Sequence, residues 1–395
     1  MKTEKKLLIY KLLIFAFAFL VAFMPSTVSR SKEVNSRVIV EILGIDGGDT
    51  VSLTAQYVMP TETQGSTSKD TVTVEGKTLT EAVDALSTAL GRRAELGHCS
   101  MVIVGKSTSP ELLGTLMTAT DVTADVYLSA AKDKASELVG DLTSFMKKTG
   151  ATDADFIAYG AQKAHIATNT LLGFLSDLGS ASESAYIPLV EMLEPEQDSS
   201  GGESGGGSGG GEEQSGGKDG AAQGGDKKPS SGMNVEKLVL YNRSGRAGIL
   251  DRPSARGVAW VSAPIEKGVV TADVEYDGKT VENVSGRLIR KYAYVNVDAA
   301  RSKATVKIKA FIQPNGDKFN ELDAENNFAA DRAVRRGFTE KIKSEIESAY
   351  NDSYAVNCDP LFIGRQFYRY EPDFFEELYA PQNMKVEFAV DVILK

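Results

Sequence analysis

The sequence is poor in the residues that carry chemistry. It has two cysteines, two histidines and one tryptophan in 395 residues. Two cysteines make no disulfide framework, and whether Cys99 and Cys358 meet is a question the sequence leaves open. Two histidines leave a metal site short of ligands, and neither CxxC nor HExxH occurs. GxSxG and GxGxxG spacings occur only inside the Gly/Ser run, framed by neither strand nor helix, so they make no nucleophile elbow and no dinucleotide fingerprint. Clustered Lys and Arg are absent beyond the extreme N-terminus, and the formal net charge is −10. That balance argues against a nucleic-acid partner and reads as a solubility feature. After residue 24 no apolar run reaches membrane-spanning length.

One neighbouring pair invites a chemical reading, His98-Cys99 in "GRRAELGHCSMVIVG". Adjacent residues of an extended chain point to opposite faces, so His98 cannot serve as base to Cys99. The pair reads as the entry to a buried strand, with Cys99 packed and His98 near the strand's start. His165 stands alone and reads as structural. The carboxylates Asp153, Asp155, Glu371, Asp373, Glu376 and Glu377 are too many to single out an acid–base pair, and solvated acids are the common state. The aromatic run "LFIGRQFYRYEPDFFEELYAP" reads as core packing. The sequence therefore nominates no catalytic, metal, cofactor or ligand-binding residue, and no enzyme activity.

What is present begins with Lys2, Lys5 and Lys6 ahead of an apolar run broken only by Lys11. Leu7–Met24 is long enough for an anchor with a snorkelling Lys11, and Leu12–Met24 suits a secretory signal. Basic residues ahead of the run predict export of everything after it. Thr27-Val28-Ser29 resembles a cleavage site loosely, so the body is either tethered or released. Residues 194–232, "EPEQDSSGGESGGGSGGGEEQSGGKDGAAQGGDKKPSSG", hold almost nothing to bury and read as a flexible linker.

The remainder predicts a multi-domain α+β protein with mixed sheets packed by helices. The expected divisions are 1–32 (signal or anchor), 33–195, 196–232 (linker) and 233–395. Before the linker, Asp46-Gly47-Gly48-Asp49 signals a hairpin. "TLTEAVDALSTALGRR" reads as a helix with Thr80 as N-cap and Gly91 as stop. "CSMVIVG" and "ADVYLSAAK" read as strands, "SPELLGTLMTA" and "KASELVGDLTSFMKK" as helices, and residues 152–193 as largely helical. After the linker, "EKLVLYNR", "RGVAWVSA", the hairpin about Tyr276–Lys279 and "KATVKIKAFI" read as strands. A helix over about 323–350 packs across a largely antiparallel sheet, with Lys341–Glu345 and Lys343–Glu347 as solvent-side pairs. "MKVEFAVDVIL" closes that sheet.

Several of these blocks together resemble the Ger(x)C family, the C subunits of spore germinant receptors. Gly76-Lys77-Thr78, Leu90-Gly91-Arg92, Gly97-His98 and Gly105 match its N-terminal signature. "TADVYLSAAKDKASELV" resembles its next block, and Asp359, Gly364, Tyr368 and Pro372 match its C-terminal one. The resemblance implies a non-catalytic subunit of a nutrient germinant receptor. Such a subunit lies on the outer face of the spore inner membrane and assembles with membrane A and B subunits. This chain departs from the pattern in lacking a lipobox cysteine near Phe23-Met24-Pro25-Ser26. A secreted solute-binding or cell-wall-associated protein is the alternative reading.

Overall fold

The computed structural model describes residues 37–60, 67–149, 155–193, 232–262, 268–322, 328–379 and 384–395, with Lys11, Leu13–Phe15, Phe17 and Phe19. The Gly/Ser segment and most of Leu7–Met24 lie outside the described residues. Lys11, Leu13–Phe15, Phe17 and Phe19 are helical with exposed side chains. Among the described residues no helix is long and apolar enough to cross a membrane.

The N-terminal part alternates strands and helices: β1 (Arg37–Asp46), β2 (Val51–Pro60), β3 (Thr67–Gly76), α1 (Leu79–Leu90), β4 (Arg93–Glu95) and β5 (Met101–Val104). Then come α2 (Pro110–Ala119), β6 (Tyr127–Ala130), α3 (Ala135–Thr149), α4 (Asp155–Ala164), β7 (Asn169–Thr170), α5 (Leu171–Leu178) and β8 (Ser184–Leu193). After the linker follow β9 (Gly232–Asn242), β10 (Gly245–Leu250), α6 (Arg252–Ser262), β11 (Gly268–Tyr276), β12 (Lys279–Asp298) and β13 (Lys303–Asn315). The chain continues with α7 (Asp317–Glu321), α8 (Phe328–Ala355), α9 (Ile363–Tyr370), α10 (Pro372–Leu378) and β14 (Lys385–Leu394).

These make two sheets. The first is ten-stranded, ordered β10-β9-β8-β6-β5-β1-β2-β3, with β4 on β1 and β7 on β6. Its centre is parallel and its flanks antiparallel. A parallel strand is buried on both faces, and β5 (Met-Val-Ile-Val) is buried throughout. On one face, α1, α2 and α5 bury Leu86, Leu113 and Phe174 against Val102, Leu128 and Ile187. On the other, α3 and α4 join a core that runs on into the second sheet. The second sheet is ordered β11-β12-β13-β14, antiparallel except for the parallel pair β13–β14. α8 buries Val334, Phe338, Ile342 and Ile346 against it. The architecture is α+β, as the alternation of elements predicts.

Two elements differ from expectation. "RGVAWVS" lies in helix α6, not a strand: Pro253 sits at its start and its apolar side packs on α8. Residues 184–193, where no strand was expected, form strand β8, buried from Ser184 to Val190. β9 and β10, which follow the linker in sequence, pair with β8, which precedes it, so the first sheet runs across the expected boundary at 196–232.

Local detail refines other readings. The N-cap of α1 is Thr78 rather than Thr80; its hydroxyl accepts from the Glu81 N–H at 3.2 Å, and the Glu81 carboxylate accepts from the Lys77 N–H at 2.8 Å. Gly91 ends the helix in the left-handed region, at φ 61°. The long helix runs over Phe328–Ala355, and residues 323–327 lie outside the described ones.

Candidate functional site

His98 and Cys99 are adjacent in sequence but differ in burial. Both lie in the turn before β5, with His98 exposed and Cys99 buried. The Cys99 thiol donates to the Met101 carbonyl at 3.1 Å, and burial pushes it up to about 12. A thiol so placed is no nucleophile at neutral pH. Cys358 is likewise free and buried, its thiol pushed up to about 11 by desolvation. His165 ends α4 at φ 61°, 1% exposed, with its ring 4.3 Å from that of Trp260. Burial, and then the charges of Arg256 and Lys291, hold its imidazole well below the ordinary histidine range, so it is neutral.

Two buried polar sites escape the sequence reading. The first is built where four chain segments converge. α8 ends at Ala355, and Asp359 follows in the turn before α9. Its carboxylate accepts from the backbone N–H of Ile363 at 3.1 Å and of Gly364 at 2.7 Å, which caps the start of α9. The hydroxyl of Ser182, from the turn before β8, donates to the same carboxylate at 2.8 Å and accepts from the Arg365 N–H at 3.0 Å. The Asp359 N–H donates to Ser184 Oγ at 2.8 Å. Asp359 is 7% exposed, and burial raises its carboxyl to about 6 despite the donors from Gly364, Ser182 and Ile363. Tyr354 and Tyr379 lie beside it. Burial, followed by the Asp359 charge, pushes both phenols up. A crevice of about 450 Å³ opens here, lined by Ser182, Ser184, Arg243, Tyr350, Tyr354 and Tyr379 among others. It offers hydroxyls, a carboxylate and a guanidinium. Cys358 also lines it, its thiol kept protonated by burial.

The second site lies between α6 and α8. Glu345, expected on the solvent side, is 2% exposed. It accepts from Trp260 Nε1 at 2.8 Å and lies 3.4 Å from Arg256 Nε, with Lys341 at 3.7 Å. The turn of α8 that carries Glu345 faces Gly257 of α6, where a Cβ would stand 2.0 Å from the Glu345 carbonyl oxygen. Close approach of the two helices is what buries the carboxylate. The Lys291 ammonium, from β12, donates to the carbonyls of Ala259 and of Trp260 (2.7 Å), two of the unpaired carbonyls at the end of α6. Burial lowers its pKa to about 7. A cavity of about 540 Å³, lined by Arg252, Arg256, Asp273, Lys341 and Glu345 among others, adjoins the cluster. Among the described residues no group of three or more His, Cys, Asp or Glu is placed to hold a metal ion.

Several positions that carry the family resemblance have local duties. Thr78 caps α1. Gly76 packs where a Cβ would lie 2.4 Å from the Ala82 nitrogen, and Gly105 where one would lie 2.0 Å from Asp46 Oδ1. The Asp46 carboxylate in turn accepts from the N–H groups of Ala135 (2.7 Å) and Ser136 (2.9 Å) at the start of α3. Asp359 and Gly364 are the two ends of the hydrogen bond at the crevice floor. Their signal in the sequence was the motif; its geometric reason needed the fold.

Fold and site define a two-sheet α+β protein whose polar pockets brace helix ends and present hydrogen-bonding surface. Residues 30–192 match the spore germination protein N-terminal domain, and residues 238–395 match the spore germination B3/GerAC-like C-terminal domain. The chain belongs to this Ger(x)C spore germination family, whose members are germinant-receptor subunits. No curated protein matches the sequence. Among solved structures, the crystal structure of the GerBC protein is similar at 12% identity, covering 89% of this chain and 96% of that one, with a TM-score of 0.43.

Proposed function

We propose that this chain is a non-catalytic, membrane-tethered subunit of a nutrient germinant receptor. It acts in spore germination by assembling with the receptor's membrane A and B subunits on the outer face of the spore inner membrane. The observation that carries the reading is the pair of family domains, at 30–192 and 238–395, whose strands complete one sheet across the linker. Leu7–Met24 supplies a tether, with the basic residues before it on the cytoplasmic side. The polar pockets supply recognition surface without a reactive constellation. The test is deletion of the gene followed by nutrient-triggered germination of the spores. Loss of the response to one nutrient class, restored by the intact chain, is the expected result. Unchanged germination to every nutrient, with the chain recovered from the medium or wall, would overturn the reading in favour of a secreted or wall-associated protein.

A further inference from the structure

The second sheet has one covered face and one open face. Ile308, Ala310 and Ile312 of β13 are buried in the core shared with α6 and α8. The alternate residues face outward. The register sets Tyr292 opposite Lys309, Tyr294 opposite Lys307 and Arg290 opposite Phe311. On the other side of β13, Lys303 meets Lys385, and Phe311 meets Ile393. Tyr292 and Tyr294 are 43% and 53% exposed, large values for aromatic rings on a sheet. Cations cover the aromatic stripe. The Arg290 guanidinium lies 5.0 Å from the Tyr292 ring centre and 4.9 Å from that of Phe311, and Lys309 and Lys395 lie 5.8 and 5.3 Å from Phe311. The acids on this face are Glu387 and Asp391 of β14, with Asp391 opposite Lys309, Asp298 of β12 opposite Lys303, and Asp273 and Glu275 of β11 at the other end of the sheet. Glu387 is held by Lys303 at 2.6 Å and Lys385 at 3.0 Å. Around the aromatic stripe the bases Arg290, Lys303, Lys307, Lys309, Lys385 and Lys395 outnumber the acids Asp298, Glu387 and Asp391, a local inversion of charge on a chain with 54 acidic and 44 basic residues.

We propose that this face docks on an anionic lipid headgroup surface, with Lys307, Lys309 and Arg290 meeting phosphodiesters and Tyr292 and Tyr294 seated at the headgroup level. The inference deepens the membrane-tethered reading above and rests on it. Tyrosine is an amphipathic ring suited to that depth, and basic residues near an anionic bilayer add attraction one by one. A basic patch adds electrostatic attraction to an anionic bilayer on top of whatever an apolar segment supplies. Lysine is depleted from protein–protein interface cores, which speaks against a protein partner here. Nucleic-acid platforms leave their rings open for base stacking, whereas Phe311 is covered by the protein's own cations.

The test uses the full chain reconstituted into vesicles of phosphatidylcholine, with and without phosphatidylglycerol, read by flotation and by acetylation of individual lysines with mass spectrometry. The expected result is flotation with both vesicles, and acetylation of Lys307 and Lys309 severalfold lower with phosphatidylglycerol, recovering in high salt. In K307Q/K309Q and in K307E/K309E, read by acetylation of the remaining lysines of the face, Lys303, Lys385 and Lys395, each lysine replaced should weaken the phosphatidylglycerol-dependent protection roughly fivefold. The salt dependence of the unaltered chain gives the same reading without any substitution. Flotation with both vesicles and equal acetylation would leave the tether standing and overturn the docking face. Flotation with phosphatidylglycerol alone, released by salt, would support the face and refute the tether. Flotation with neither would overturn both. Stronger protection by duplex DNA or by an acidic protein than by phosphatidylglycerol would overturn the lipid assignment.

Discussion

The hydroxyl of Ser182 donates to the carboxylate of Asp359 at 2.8 Å, joining residues 177 positions apart. The bond ties the turn before β8 to the cap of α9, and so holds the family's N-terminal and C-terminal domains together. The carboxyl titrates near 6 in the fold against 3.8 ordinarily, so between those values the native state keeps a proton that the unfolded chain has released. Stability from this group is complete below about pH 4 and is lost as pH rises through 6, by on the order of 3 kcal/mol. Asp177, also raised by burial, acts in the same sense, and Lys291, lowered to about 7, in the opposite sense at higher pH. The difference between the unaltered chain and Asp359→Asn isolates the effect. Urea midpoints from pH 4 to 7 should fall more steeply for the former, and parallel curves would contradict the assignment.

Glu345→Gln keeps an acceptor for Trp260 but leaves Arg256, whose side chain is 9% exposed, without its countercharge. Stranding a buried charge costs about 3–5 kcal/mol. Trp260 is the chain's one tryptophan, so its fluorescence reports this site alone. Urea unfolding followed by that fluorescence should shift by that amount. A change within about 0.5 kcal/mol, the range of ordinary surface substitutions, would mean the pair is not needed.

Gly257 lets α6 approach α8. An added Cβ would stand 2.0 Å from the Glu345 carbonyl oxygen and 2.6 Å from Ala349 Cβ, so Gly257→Ala forces the helices apart. The expected loss is about 1–3 kcal/mol or more. Gly140, within α3, has nothing within 4 Å of the same position, and Gly140→Ala should stabilise by about 0.5–1 kcal/mol. Thermal denaturation of the two variants should give opposite signs, and equal signs would refute the packing argument.

Neither cysteine is reactive in the folded chain. With Cys99 held at about 12 and Cys358 at about 11, alkylation by iodoacetamide at pH 8 should be slower than in urea by on the order of a thousandfold for Cys99 and a hundredfold for Cys358. Modification of either thiol at the unfolded rate under native conditions would contradict the burial described for it.

How far the sequence foretold this depended on period and burial. The hairpins about residues 46–49 and 276–279, the strand at 385–394 and helix α1 were legible because turn residues and apolar spacing agree there. Helix α6 was not. Val258, Trp260 and Val261 mimic a strand, while in the fold the segment is a helix whose Gly257 packs against α8. Strand β8 lacks alternation because both its faces are covered, which removes the signal that separates a strand from a buried helix. Glu345 sits at a spacing that fits a solvent-side pair equally well. The basic face was invisible for a plain reason. In a strand, outward residues recur every second position, so Lys307 and Lys309 alternate with Ile308 and Ala310, and the charge gathers only when three strands align. Asp359 was visible as part of a motif, but its partner Ser182 was not.

The most direct test of the account is affinity purification of the full chain from detergent-solubilised spore inner membrane. The account predicts that it fractionates with that membrane and brings down integral-membrane A and B subunits of a germinant receptor. Recovery of the chain alone, from the soluble fraction or the medium, would contradict it.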